Sequence, residues 1–296
     1  MHRNNKHKGD YDFEKLKAIH EPLKEFVAIG KSGKETIDFS NPLAVKIFNT
    51  ALLALHYGID FWQFPHRHLC PPIPGRVEYI HVLHDLLIAS GIKKNVHVLD
   101  IGTGATCIYP LLGHSQYVWH FTATEIDKNA FENAVKIVKK NNFQAFIELR
   151  FQNNWGSILK GVVEPKEKFS ASICNPPFFK SSSQADEENK RKLKGIGKQS
   201  EAALRNFSGT AKELSYPGGE KAFLHNYLYQ SSLFKTNCFW YTSLVSKKDL
   251  VKSMTTSLNK VGATEIEIIP MKLGNKVSRV VAWTFLNVEE RAKWLN

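Results

Sequence analysis

The chain has 296 residues, enough for one large domain or for a domain with a smaller appendage. Its 43% hydrophobic and 23% charged residues are ordinary for a globular protein, and no apolar run nears the ~18 residues of a membrane span. Forty Lys and Arg against 28 Asp and Glu give a net charge of +12, which favours a polyanionic partner, nucleic acid ahead of a membrane surface.

Met1 to Lys8 is polar and basic with no apolar stretch behind it, so it is not a secretory signal and a cytoplasmic location is expected. Residues 1–75 carry mixed signals, with a helical pattern from Pro42 to Leu55 and a Pro-rich run from Cys70 to Gly75. We read them as an N-terminal appendage closed by a stiff linker. Its flexible start, with Arg3, Lys6 and Lys8, is suited to phosphate contacts. His66 and His68 lie in the linker-like part and are expected to face solvent.

From residue 76 to 296 the pattern alternates. Apolar residues at helical spacing around Tyr79 to Leu87 stop at Gly91; Val96 to Ile101 is a strand and Cys107 to Leu112 a helix. Trp119 to Thr124 is a strand, Asn129 to Lys140 an amphipathic helix, and Phe146–Phe151 and Phe169–Cys174 are further strands. A helix from Ala222 to Phe234, a strand from Cys238 to Val245 and a helix from Leu250 to Val261 follow. Two last strands, Glu265–Pro270 and Arg279–Leu286, have no helix between them. This predicts an α/β fold: a mostly parallel, Rossmann-like sheet covered on both faces, with a C-terminal hairpin that turns one strand antiparallel. Residues 180–217, with Lys190-Arg191-Lys192-Leu193-Lys194, read as a mobile basic insertion.

The chemistry begins at Asp100-Ile101-Gly102-Thr103-Gly104. A strand feeding Asp-x-Gly-x-Gly is the first turn of a nucleotide-binding unit, where glycines let a ligand approach the backbone. A dinucleotide site would want a third glycine where Cys107 stands, so a ligand without a pyrophosphate is expected. Glu125 closes the next strand and is placed to accept hydrogen bonds from ribose hydroxyls. Together these describe a site for S-adenosylmethionine (AdoMet). Cys174-Asn175-Pro176-Pro177-Phe178 ends a buried strand with a rigid elbow. The Asn175 side-chain oxygen and the Pro176 carbonyl can accept from an aromatic amine, Pro177 holds the carbonyl, and Phe178 offers a stacking face. Positioning supplies most of such a reaction, and no metal is required. The four cysteines are far apart without a Cys-x-x-Cys pair, so neither a disulfide framework nor a zinc site is expected. Trp240 and Trp283 fall in strands and read as core.

These motifs resemble a known family. The stretches HRNNKHKGDYDF, PPIPGRVEYIH, LDIGTGATCIYPLLG, ATEID, ICNPPFF, PGGEKAF and SRVVAWTF are similar to the bacterial 23S ribosomal RNA adenine-N6 methyltransferases and to their eukaryotic small nuclear RNA relatives. The resemblance spans nearly the whole chain. It implies a class I methyltransferase domain over residues 76–296 and an RNA-binding appendage over 1–75. It implies methyl transfer from AdoMet to the N6 amine of adenine 1618 in 23S ribosomal RNA, naked or in an assembly intermediate, by a monomer without metal. Arg76, Asp100, Gly102, Gly104, Glu125 and Asn175 then contact the cofactor, Arg76 at the methionine carboxylate. Asn175, Pro176, Pro177 and Phe178 form the catalytic tetrapeptide. At Asn153-Asn154-Trp155 the chain departs from its relatives, which leaves the contact to the cofactor adenine open. The alternatives are another structured RNA as substrate, a protein glutamine, or an idle RNA-binding assembly factor.

Overall fold

The computed structural model describes residues 1–66, 68–177, 215–273 and 276–295. A small N-terminal unit holds α1 (Phe13–Ile19), a 3-10 turn (Glu21–Phe26), β1 (Val27–Ile29), β2 (Glu35–Ile37) and α2 (Pro42–Tyr57). Then come α3 (Ile73–Ala89), β3 (His97–Ile101), α4 (Ile108–Tyr117), β4 (His120–Glu125), α5 (Lys128–Lys140), β5 (Ile147–Phe151) and β6 (Phe169–Cys174). Beyond residue 214 follow α6 (Gly219–Leu233), β7 (Cys238–Val245), α7 (Lys248–Val261), β8 (Glu265–Leu273), β9 (Lys276–Thr284) and α8 (Val288–Leu295).

Seven strands form one sheet in the order β5-β4-β3-β6-β7-β9-β8. The pairs from β5 to β7 are parallel, and β9 runs against both β7 and β8, so one strand is reversed as the short final connection requires. The closing hairpin is tighter than the sequence suggested, because β8 and β9 extend into the stretch read as their link. Side chains alternate between two cores. Val98, Val280 and Ala282 pack with α3, α4 and α5, whereas Leu99, Ile101, Val281 and Trp283 pack with α6 and α7. Trp240 and Trp283 are both buried, as read from the sequence. The strand order reverses beside β3: its crossover leads through α4 to β4, while β6 lies on its other flank. The crevice at that reversal is where an open α/β sheet binds ligands.

Local chemistry sets the helix ends. Asn41 accepts the N–H groups of Leu43 and Ala44 to start α2, which stops at Gly58 with φ +63°. Asp127 accepts from Ala130 to start α5, and Lys139 and Lys140 close it. The third glycine missing at position 107 has a counterpart one turn into α4. A Cβ built on Gly113 would stand 2.4 Å from Phe121 of β4, so only glycine lets this helix lie so close to the sheet.

Three expectations for the N-terminal region are corrected. The basic start is pinned: Asn5 and His7 are buried, and Asn5 Nδ2 and the His2 backbone N–H donate to the buried Glu78 carboxylate of α3 at 2.7 and 2.6 Å. A buried carboxylate demands donors, and the chain start supplies them. The Pro-rich run is no free linker, since Ile73 is fully buried and α3 begins there; a boundary at 75 falls inside its first turn. His66 is exposed, but His68 is buried. The small unit has a core of its own around Phe13, Leu16, Leu23, Phe48 and Leu52, while Leu53, Tyr57 and Trp62 of the same region join the core of the sheet. No helix among the described residues is long and apolar enough to cross a membrane.

Two tests follow from this packing. Gly113→Ala is expected to destabilise the protein by about 1–3 kcal/mol, the usual range for overpacking, read as a lower urea midpoint; an unchanged midpoint would mean α4 can shift off Phe121. His7, bonded to Tyr57 at 2.9 Å, and His81, bonded to Tyr117 at 2.7 Å, are both pushed down to about 4, chiefly by burial. Their neutral forms are favoured by folding, so this stability is complete above about pH 6.5 and is lost as pH falls toward about 4. The melting temperature is expected to drop across that window, and the drop should shrink in a His7→Gln/His81→Gln double variant.

Candidate active site

The site forms where β3, β4 and β6 end side by side. Register places Ile101 opposite both Thr124 and Cys174, so the residues that follow each strand emerge together. After Ile101 the chain turns through Gly102 (φ +71°) and Gly104 (φ +67°), conformations that favour glycine. No atom lies within 4 Å of a Cβ built on Gly102, which leaves open space above the turn. Neighbours clamp the turn from outside. Thr103 N–H donates to the Thr124 carbonyl (2.9 Å), Trp62 Nε1 to the Thr106 carbonyl (3.0 Å), and Asn133 Nδ2 to the Ala105 carbonyl (2.7 Å).

Glu125 joins two of the strand ends. Its Oε2 accepts the Gly104 N–H and its Oε1 those of Ile126 and Asp127, all at 2.8 Å. The cavity above is lined by the turn, by Glu125 and Ile126, by Gln152, Trp155, Ser157 and Ile158 from the loop after β5, and by Asn175 and Pro177 of the elbow. Arg76, in the first turn of α3, closes one side. Its Nη1 donates to the Tyr109 hydroxyl at 3.0 Å and its guanidinium lies 5.6 Å from the centre of that ring. Ser215, Tyr216 and Phe223 close another, the two rings meeting edge to face at 5.3 Å.

Of the residues singled out from sequence, Arg76, Gly102, Gly104, Glu125, Asn175 and Pro177 stand on one cavity. Asp100 and Pro176 are buried and lie outside its wall. Burial above all, then the nearby Glu125 charge, pushes the Asp100 carboxyl up to about 7, with the Thr103 hydroxyl and Arg76 opposing. Phe178 and nearly all of the basic stretch 180–217 lie outside the described residues. Tyr109, Trp155, Tyr216 and Phe223 escaped the sequence reading of the site. Trp155 sat in the segment left open, and the other three carry no signal besides being aromatic.

The cavity suits an adenosine bearing a charged amino-acid tail. It offers a carboxylate held by backbone donors, a guanidinium, an apolar wall and open space over a glycine. Two polar atoms of its lining residues, the Asn175 Oδ1 and the Thr103 hydroxyl, are buried without a hydrogen-bond partner among the described residues. Buried polar atoms are usually satisfied, and such a cluster at a cavity marks a place for a polar ligand.

A family described as RNA methyltransferase matches residues 1–287. The chain is 43% identical to the ribosomal RNA large subunit methyltransferase F of Aeromonas salmonicida over 298 residues, covering 99% of this chain and 94% of the relative. It is 44% identical over 308 residues to the protein of the same name from Shewanella denitrificans, covering 99% and 85%. The catalytic domain of hMettl16 in complex with a MAT2A 3′UTR hairpin superposes with a TM-score of 0.82 at 28% identity, covering 97% of this chain and 96% of that one. The N-terminal domain of human METTL16 in complex with SAH gives a TM-score of 0.77 at 26% identity, covering 97% and 99%. The chain belongs to this family of RNA methyltransferases, enzymes that draw their methyl group from AdoMet.

Proposed function

We propose that this protein methylates the N6 amine of one adenine in large-subunit ribosomal RNA, adenine 1618 by the resemblance already drawn. The observation that carries the reading is the buried Asn175 Oδ1, which has no partner among the described residues and stands on the same cavity as the glycine turn and Glu125. When bound, AdoMet supplies an electrophilic methyl group on a sulfonium centre. Arg76, steadied by Tyr109, would hold its carboxylate; Glu125 would accept its ribose hydroxyls; Ile126, Trp155 and Ile158 would flank its adenine.

An exocyclic aromatic amine is a weak nucleophile because its lone pair is spread into the ring. Asn175 Oδ1 and the Pro176 carbonyl would accept its two N–H bonds, with the backbone stiffened by Pro177. That draws the lone pair back onto nitrogen and aims it. Held in this way, the amine would face the methyl group that bound AdoMet supplies, and the proton that nitrogen sheds would pass to solvent. Phe178 would stack on the target base. Nothing in this scheme asks for a metal or for a second copy of the chain.

Residues 1–75 and the basic stretch 180–217 would grip RNA phosphates, a sequence-independent attraction that sets register rather than specificity. Arg3 and Lys8 remain exposed for this although the segment around them is pinned. The work is placed in the cytoplasm, where ribosomal RNA is the abundant polyanion.

Two measurements test the site. Asn175→Ala is expected to lower single-turnover methyl transfer to RNA at least a hundredfold while AdoMet affinity falls much less, because the amine contact matters most during transfer. A folded variant that transfers at the wild-type rate would reduce the elbow to a strand stop. Glu125→Ala should weaken AdoMet binding about tenfold or more, since hydrogen bonds to a charged group are worth roughly 1.5–3 kcal/mol. Calorimetry giving an unchanged affinity would remove Glu125 from the ribose.

A further inference from the structure

The connection from β5 to β6, residues 152–168, contains no regular helix, yet it supplies Trp155, Ser157 and Ile158 to the cofactor cavity. Gln152 braces the loop from within, its Nε2 donating to the Lys160 carbonyl and its Oε1 accepting the Asn154 N–H, and Asn237 holds its far end at the Glu164 and Glu167 carbonyls. The part that reaches the cavity is held from outside by Gln230 of α6, which is 7% exposed. Its Oε1 accepts the Ile158 and Leu159 backbone N–H groups at 2.8 and 2.9 Å, and its Nε2 donates to the Gly156 carbonyl at 3.0 Å. One buried amide thus ties both polar faces of the loop.

The bonding continues along the helix. Gln230 Nε2 also donates to Asn226 Oδ1 (3.1 Å), one helical turn away. Asn226 Nδ2 in turn reaches the Gly156 carbonyl at 3.2 Å and the Tyr216 hydroxyl at 2.9 Å. Tyr216 stands on the cavity beside Phe223. The loop carrying Trp155 and the aromatic pair at Tyr216 therefore share one side chain, although they are far apart in sequence.

We propose that Gln230 and Asn226 are positioning residues: they set the adenosine wall of the AdoMet site and couple its occupancy to Tyr216, which closes another side of the same cavity. The proposal rests on the methyltransferase reading above. A filled adenosine pocket stills the loop, which fixes the Gly156 carbonyl and, through Asn226, the Tyr216 ring. RNA that orders Tyr216 must then tighten cofactor binding by the same factor, as linkage requires.

The test uses the full chain, an RNA oligonucleotide spanning the target adenine, and calorimetry with S-adenosylhomocysteine, the demethylated cofactor. For Gln230→Leu, which removes the acceptor of the Ile158, Leu159 and Lys160 N–H groups, the AdoMet KM is expected to rise about tenfold while kcat at saturating cofactor stays within about threefold. A fall in kcat with KM unchanged overturns the assignment. If Gln230→Leu does not fold, Asn226→Ala serves, being only half-buried; it should abolish the mutual tightening of cofactor and RNA. In Tyr216→Phe, which keeps the ring and deletes the hydroxyl, the wild-type ratio of cofactor affinities with and without RNA should fall to about one. An unchanged ratio in either variant sinks the coupling. If the wild-type chain binds no S-adenosylhomocysteine at all, the methyltransferase reading itself fails, which separates the two outcomes.

Discussion

The carboxylate of Glu125 receives the backbone N–H groups of Gly104, Ile126 and Asp127, and so joins the turn after β3 to the end of β4. Strand ends in a parallel sheet leave their following residues without ladder partners, and an unpaired buried N–H is costly. One anion satisfies three of them at once. The open space above Gly102, the path of α4 and the start of α5 at Asp127 all take their positions from this joint. The group that organises the backbone also stands on the cavity wall, so architecture and the proposed ribose contact meet in one residue.

Around this joint the sheet order does the gathering. Because β6 lies on the far side of β3 from β4, the elbow at Asn175 comes up facing the glycine turn across the crevice. Below it a buried polar chain crosses the sheet: Tyr79 bonds Thr242, Thr242 donates to the Ser172 carbonyl, and Ser172 bonds Tyr227. Helices from both faces thereby grip β6 at Ser172, three residues before Asn175, where a small shift would misplace the acceptor. A reaction that depends on aiming one lone pair needs that stiffness.

The N-terminal region is tied in at several levels. Glu78 of α3 is neutralised by the chain start, Trp62 bonds the cofactor turn, and Arg76 enters the cavity two residues before Glu78. The small unit thus shares α3 with the site, and its own core ends within α2.

The sequence by itself determined what depends on neighbours along the chain. Period-two and period-3.6 patterns marked most strands and helices of the sheet domain, the absent helix after Glu265–Pro270 marked the reversed strand, and glycines or prolines at strand ends marked Gly102, Gly104 and Asn175, because local sterics constrain those positions. Only the tertiary structure decided the rest. That Asp100 is buried off the cavity wall, that His68 is buried, that the chain start caps Glu78, that Tyr109, Trp155 and Tyr216 line the cavity and that Gln230 holds the loop behind Ile158 all depend on which elements pack together. Such contacts join residues up to 76 positions apart, and an aromatic or an amide carries the same local signature wherever it ends up.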